Sequence, residues 1–140
     1  MTVITPETIS LLELLAAKSD MKSKHGAIII KNGKIISTGH NHTMGSIKIC
    51  INRHGQQTRL SRHAEEDALR NLNYHNLKDA SMYVVRIGIQ TQYTISKPCE
   101  RCMASIRKMK RERGLRRVFY SVDTDSAGRP IWKEVDDYEQ

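Results

Sequence analysis

The chain has 140 residues, of which 39% are hydrophobic and 27% charged. This composition is typical of a single folded domain and excludes an intrinsically disordered protein. The longest apolar run, residues 26–30, is far too short to span a bilayer, so we expect no membrane segment. Residues 1–20 lack a basic start and predict no signal peptide. Three cysteines in such a chain predict a reducing, intracellular (cytoplasmic) location with free or metal-bound thiols.

The formal net charge of +8 is unevenly distributed. Residues 97–117 contain nine Lys or Arg and two Glu, whereas residues 123–140 contain six acidic and two basic residues. This asymmetry favours an anionic partner, either the phosphate of a small substrate or a nucleic acid. A solvent-exposed helix face followed by an acidic tail explains the charges equally well.

The first half of the chain predicts a helix and a hairpin. Residues 5–20 predict an amphipathic helix, because Thr5 can cap it, Pro6 suits its first position and apolar residues recur at helical spacing. Residues 25–41 contain two β-branched runs joined by an Asn-Gly pair, which is typical of a type I′ hairpin turn. The first run is apolar on both faces and predicts a central strand covered by helices.

The middle of the chain predicts a long loop, a helix and a strand. Residues 42–60 lack a clean period and predict a functional loop with a short strand at 47–51. Residues 61–74 predict a helix capped by Ser61. A strand is expected at 81–89.

The last third predicts a helix at 98–114, opened by Pro98 and closed by Gly114. A strand is expected at 116–122, and a further short helix around Trp132. The order α-β-β-α-β-α-β predicts one α/β domain over residues 1–140, a three-layer α-β-α sandwich. Its mixed sheet has an antiparallel opening hairpin followed by parallel strands.

Two short motifs lie at predicted helix starts. Cys99 and Cys102 share one face of the first turn, where disulfide geometry is unfavourable. A metal pair, a redox pair and simple packing remain, and the helix start favours the thiolate that a metal requires. His63 would complete a His-Cys-Cys set with one open position, which is typical of a catalytic zinc. Glu65, outside that set, could carry a proton between water and substrate.

The motifs read His63-Ala64-Glu65 and Pro98-Cys99-Glu100-Arg101-Cys102, and they match the H-x-E…P-C-x-x-C signature of zinc nucleobase deaminases. The chain therefore resembles the cytidine and deoxycytidylate deaminase superfamily over residues 25–122. The resemblance implies Zn²⁺ bound by the His-Cys-Cys set, proton transfer by Glu65, and homo-oligomers that complete each other's sites. It also implies that Asn41 contacts substrate, with the motif residues Ala64 and Pro98 beside it.

The resemblance implies hydrolytic deamination of a cytosine-type nucleoside or nucleotide, with release of ammonia. The candidates for binding a substrate phosphate are the basic residues that flank the motifs: Arg59, Arg62, Lys97 and Arg101. A deaminase acting on a base in a nucleic acid is the first alternative, favoured by the net charge and disfavoured by the 5% aromatic content. A non-catalytic, zinc-stabilised binding protein is the second, and Glu65 argues against it. Cys50 is expected to be a free thiol, and the outer helix arc of Arg107, Lys108 and Arg111 a solvated surface.

Overall fold

The structure is a computed structural model that describes residues 4–43, 49–51, 57–59, 61–72, 76–88 and 92–135. Its helices are α1 (Pro6–Ala17), α2 (Ala64–Arg70) and α3 (Glu100–Arg113). Its strands are β1 (Lys24–Lys31), β2 (Lys34–His40), β3 (His42–Thr43), β4 (Ile49–Ile51), β5 (Gln57–Arg59), β6 (Ser61–Arg62), β7 (Ala80–Ile87), β8 (Tyr93–Thr94), β9 (Arg117–Thr124) and β10 (Pro130–Glu134). No helix in these ranges is long and apolar enough to cross a membrane.

The main sheet has the strand order β10-β9-β7-β1-β2, with β8 pairing to β7. Strands β7 and β9 run parallel, and the other neighbours run antiparallel. Helix α1 packs on one face of the sheet, and α2 and α3 pack on the other. The predicted three-layer α-β-α sandwich with a mixed sheet is therefore confirmed.

Local signals in the first third of the chain are confirmed. The Thr5 hydroxyl caps α1 by accepting a hydrogen bond from Thr8 N at 3.2 Å. Asn32 and Gly33 have φ values of 52° and 78°, the left-handed conformations that a type I′ turn requires. Strand β1 lies between β7 and β2, and its central apolar residues are buried from both sides.

Helix α2 lies unusually close to the sheet because β2 has a glycine beneath it. A Cβ atom at Gly39 would lie 2.4 Å from Ala68 N and 2.5 Å from Ala64 O. Any side chain at this position would push the helix away from the strand. The close packing of α2 sets the height above the sheet at which its N-terminal residues lie.

Both motif-bearing helices begin later than predicted. Helix α2 is N-capped by His63 rather than Ser61, because residues 61–62 are extended and pair with β3 as strand β6. Helix α3 is N-capped by Cys99, so Pro98 precedes the helix instead of opening it. Gly114, with a φ of 82°, ends α3 as predicted. Strand pairing and motif geometry therefore override the capping signals in these two places.

The predicted long loop contains two small antiparallel ladders, β3–β6 and β4–β5. The predicted strand at 47–51 corresponds to β4 at its end, while 47–48 lie outside the described residues. Helix α2 ends at Arg70, with Asn71 as its C-cap, and so is shorter than the helix predicted to residue 74. Residues 73–74 and residue 89, the predicted end of the strand, lie outside the described residues.

The helix expected around Trp132 is wrong, because this segment is strand β10. β10 pairs antiparallel with β9 and extends the sheet at its edge. The Trp132 ring packs edge-on against Tyr83, with ring centroids 5.4 Å apart. Cross-strand hydrogen bonds and this aromatic contact stabilise the extended conformation.

Candidate active site

The N-terminal ends of α2 and α3 meet on the same face of the sheet and bring the two motifs together. His63 Nδ1 lies 3.2 Å from Cys102 Sγ and 3.4 Å from Cys99 Sγ. One ligand atom from each of the three residues lies within 4.8 Å of the others. Within the described part of the chain, no other group of three or more His, Cys, Asp or Glu side chains is close enough to hold a metal ion.

This donor set fits a zinc ion. Tetrahedral zinc with ordinary Zn–N and Zn–S bonds would separate a histidine nitrogen and a cysteine sulfur by about 3.6 Å. The two observed separations are within a few tenths of an ångström of that value. Three protein ligands leave one coordination position free, as in catalytic rather than structural zinc sites.

Glu65 lies beside the ligands, and its residue is only 5% exposed. Burial raises the pKa of Glu65 to about 7, and a hydrogen bond with Cys102 partly opposes that rise. Burial also favours the uncharged form of His63: it lowers the pKa of that residue, and the neutral imidazole is the form that binds metals. Burial also raises the pKa of the Cys102 thiol. A metal binding here would displace the proton of that thiol.

Glu66 holds the two helix starts together. Its Oε1 atom accepts a hydrogen bond from His63 N at 3.2 Å and another from Arg101 Nη2 at 2.8 Å. The first satisfies a backbone donor at the start of α2, and the second links α2 to α3. Glu66 therefore has a structural role at the motif.

A cavity of about 230 Å³ opens beside the three candidate ligands. Its walls come from both motifs, the start of β1, the end of β2 and the loop before α3: Met21, Ser23, His25, Asn41, His63, Glu65, Ser96, Lys97 and Cys99. Such a cavity next to an open metal position could hold a small substrate.

Asn41 is buried and lines the wall of the cavity. Its Oδ1 atom accepts a hydrogen bond from His25 N at 2.8 Å, and its Nδ2 atom donates one to Ser23 O at 2.5 Å. The side chain therefore fixes the segment that enters β1 against the end of β2. Both of its partners line the same cavity.

Asp67 is a site residue that the sequence analysis missed. Its buried carboxylate accepts a hydrogen bond from His40 N at 3.1 Å and lies 3.3 Å from His42 Nε2 and 3.9 Å from Arg62 Nη1. It thereby holds the segment on both sides of Asn41. Its spacing of four residues from His63 places both on one side of α2, and that spacing was the available signal.

Ser96 is a second missed residue and anchors the loop that leads to the cysteine motif. Its Oγ atom donates to Val84 O at 3.0 Å and accepts from Ser121 N at 2.9 Å. Its own N–H donates to Ser121 O at 2.8 Å. These bonds fix the loop to β7 and β9 just before Cys99.

The other predicted site residues are distributed around this centre. Ala64 and Pro98 are buried beside the motif, Lys97 lines the cavity, and Arg101 is 54% exposed in its pair with Glu66. Arg62 lies by Asp67 and faces a groove between α2 and α3. The side chains of Arg59 and Cys50 lie outside the described residues. The outer arc is exposed, as predicted: Arg107, Lys108 and Arg111.

Comparison with known proteins shows the family to which the chain belongs. Residues 7–121 match the sequence profile of the family described as "Cytidine and deoxycytidylate deaminase zinc-binding region". The chain belongs to this family of nucleoside and nucleotide deaminases. A search of curated protein sequences found no significant match.

Solved structures share the fold. The dCMP deaminase from cyanophage S-TIM5 in its apo form is 25% identical, with a TM-score of 0.58 over 87% of this chain and 88% of that one. The same enzyme in complex with dCMP and dUMP is 23% identical, with a TM-score of 0.53 over 84% of this chain and 83% of that one. Cytidine deaminase from Burkholderia pseudomallei is 20% identical, with a TM-score of 0.59 over 95% and 93% of the two chains. At 23% and 20% identity, the second and third of these structures show a shared fold only.

Proposed function

We propose that this protein catalyses the zinc-dependent hydrolytic deamination of a cytosine-type nucleoside or nucleotide. The observation that carries the proposal is that three candidate zinc-ligand atoms lie close together next to a cavity that the buried Glu65 also lines. Membership of the deaminase family supports the reaction class. In this reaction one water is consumed, the amino-bearing ring carbon becomes a carbonyl carbon, and ammonia leaves.

His63, Cys99 and Cys102 would hold the metal. When bound, Zn²⁺ lowers the pKa of a coordinated water to about 7 and so makes a nucleophile available near neutral pH. The protein's own side chains would carry out the proton transfers of the reaction.

Glu65 is the proton carrier in this proposal. Its carboxylate would accept one proton from the attacking water and deliver it to the ring nitrogen. It would then carry the second proton, from the hydroxyl added to the ring carbon, to the departing amine. Glu65 lies on the first turn of α2, close to the three candidate ligands and outside their group, which supports this role. The buried setting keeps bulk water away from this transfer.

Substitution of Glu65 tests the proposal. Zinc-loaded wild type should release ammonia from at least one cytosine nucleoside or nucleotide in a panel that also contains the adenine and guanine compounds. The Glu65→Ala variant should keep its zinc and lose activity by several orders of magnitude, since the residue serves every proton transfer. Glu112→Ala, which removes an exposed carboxylate on α3, is the matched control. Release from purine compounds alone would contradict the cytosine assignment, and full activity without Glu65 would contradict the mechanism.

Deamination of a base within a nucleic acid is the second candidate, favoured by the exposed basic arc on α3. This arc consists of Arg107, Lys108 and Arg111. Polynucleotide binding through the arc should weaken steeply with salt, because each phosphate contact releases counterions. Activity on cytosine oligonucleotides above that on every monomer, and its loss when the arc is neutralised, would favour this candidate.

A further inference from the structure

A second hollow, of about 480 Å³, adjoins the candidate active site. Its lining contains three cationic side chains and no acidic one: Lys22, Ser23, Lys24, Arg86, Ile87, Gly88 and Thr94. Ser23 lines both this hollow and the active-site cavity. The two spaces therefore share a wall, and the adjoining one has the charge that suits an anion.

Arg86 lies directly beside the active-site cavity. It is the cross-strand partner of His25, which lines that cavity. Directly opposed residues of an antiparallel pair have side chains on one face, about 5 Å apart at Cβ. Both residues continue the sheet face on which α2 and α3 pack, because Ala27 and Val84, two positions further along their strands, belong to that core.

The Arg86 guanidinium has neither a hydrogen bond nor an ion pair with any other described residue, although the residue is half-buried. A partly desolvated cation without a counter-ion is unfavourable unless a ligand supplies the charge. By contrast, Arg101 is paired with Glu66 and Arg62 lies near Asp67. Among the described residues, Arg86 is therefore a cation without a charged partner, and it lines the second hollow.

Hydrogen bonds hold two further residues of the hollow, Lys24 and Ser23. Lys24 Nζ donates a hydrogen bond to Ser19 O at 2.6 Å, which fixes the ammonium at the edge of the hollow. The Ser23 carbonyl accepts a hydrogen bond from Asn41, so the shared wall is fixed as well. Among the described residues, the Ser23 hydroxyl has no hydrogen-bond partner and remains a donor for a ligand.

We propose that the hollow formed by Lys22, Lys24 and Arg86 binds the phosphate of a nucleoside monophosphate whose base occupies the active-site cavity. This inference rests on the proposed function and narrows its substrate from nucleoside or nucleotide to nucleotide. Arg86 would make charge-assisted hydrogen bonds to the phosphate oxygens, with the Ser23 hydroxyl donating from the shared wall. All of these proposed phosphate-binding residues lie outside the two motifs.

Kinetics with paired substrates test the assignment. The Arg86→Gln variant, loaded with zinc, should lose about 10- to 100-fold in kcat/KM for CMP and dCMP, as expected for hydrogen bonds to a charged group. Its kcat/KM for cytidine and deoxycytidine should stay within about twofold of wild type. Lys22→Gln, at an exposed position, should show the same selective loss to a smaller degree, and it replaces Arg86→Gln if that variant does not fold. Arg129→Gln, an exposed arginine in the β9–β10 turn, is the matched control.

Binding of the deaminated compounds gives a readout that does not depend on turnover. Calorimetry should show that wild type binds UMP or dUMP more tightly than uridine or deoxyuridine, and that Arg86→Gln removes the difference. Equal losses for nucleotides and nucleosides, or unchanged nucleotide kinetics, would overturn the phosphate site. Higher activity on a cytosine oligonucleotide than on every monomer, also dependent on Arg86, would overturn the assignment to a monomer.

These experiments distinguish failure of the proposed function from failure of the phosphate site. If wild type deaminates no cytosine compound, that function is wrong and the binding assay alone decides the phosphate site. Binding of UMP or dUMP that depends on Arg86 would then support the site. No difference between UMP and uridine would overturn it.

Discussion

His63 Nδ1 lies 3.2 Å from Cys102 Sγ, although 39 positions of the chain separate the two residues. The contact exists because α2 and α3 pack on the same face of the sheet with their N-terminal ends together. Glu66 strengthens this arrangement by bonding to both His63 N and Arg101. Changes that displace either helix start should therefore disturb the candidate metal site.

The first prediction concerns the metal. Purified wild type should contain about one zinc per chain, and Cys99→Ser should lose most of it, because two remaining ligands bind zinc poorly. Metal analysis by mass spectrometry measures both. Cys50→Ser, at a cysteine outside the predicted ligand set, is the control and should keep its zinc. Stoichiometric zinc in the Cys99→Ser protein would contradict the proposed ligand set.

The second prediction concerns the glycine beneath α2. Gly39→Ala should lower the free energy of unfolding by about 1–3 kcal/mol, since the alanine Cβ would overlap the α2 backbone. Zinc affinity should fall as well, because α2 carries His63. Lys34→Ala, at an exposed position of the same strand, should change neither quantity. Urea unfolding measures the first effect, and competition with a zinc chelator measures the second. If Gly39→Ala destabilises the fold without changing zinc affinity, the position of α2 does not control metal binding.

The third prediction concerns Asp67 as a positioning residue. Asp67→Ala should lower the free energy of unfolding by about 1–3 kcal/mol, because His40 N would lose its buried acceptor. It should also raise KM more than it lowers kcat, since the segment that holds Asn41 would loosen while the zinc ligands stay in place. Asp67→Asn keeps an oxygen acceptor and should recover much of the stability. A loss confined to kcat, with KM unchanged, would rule out this positioning role.

The fourth prediction concerns the protonation of His25. Burial, followed by the charges of Arg86 and His63, lowers the pKa of His25 to about 4. His25 should therefore stay neutral between pH 6.5 and 5, where an ordinary histidine takes up its proton. Since the unfolded chain does bind that proton, this residue makes the fold less stable as pH falls through that window.

NMR titration of the histidine ring protons measures the effect, with the His25 signal assigned by its loss in His25→Gln. Arg86→Gln should raise the pKa of His25, because a neighbouring positive charge is removed. Arg129→Gln should leave it unchanged. A His25 signal that titrates near pH 6.5 in wild type would contradict the buried, cation-flanked environment.

Local signals determined much of this protein from the sequence. The cap and apolar spacing of α1, the Asn-Gly turn of the β1–β2 hairpin and the glycine end of α3 depend on neighbouring residues, so they can be predicted without tertiary contacts. The candidate zinc ligands were also predictable, because metal chemistry restricts both residue type and spacing, and Glu65 was predictable from its place in the H-x-E motif. The predicted order of elements then led to the three-layer sandwich.

Only the tertiary structure decided the features that depend on distant pairings. Residues 61–62 are strand rather than helix because β3 pairs with them, and residues 130–134 are strand because β9 does. Arg86 carries no distinguishing local pattern, and the spacing of Asp67 from His63 does not indicate what Asp67 contacts. The environments of these two residues come from His25 and His40 on other strands. Sequence spacing can therefore name the groups that would bind the metal, but the shape and charge of the surrounding cavity arise when sheet pairing brings remote side chains into contact.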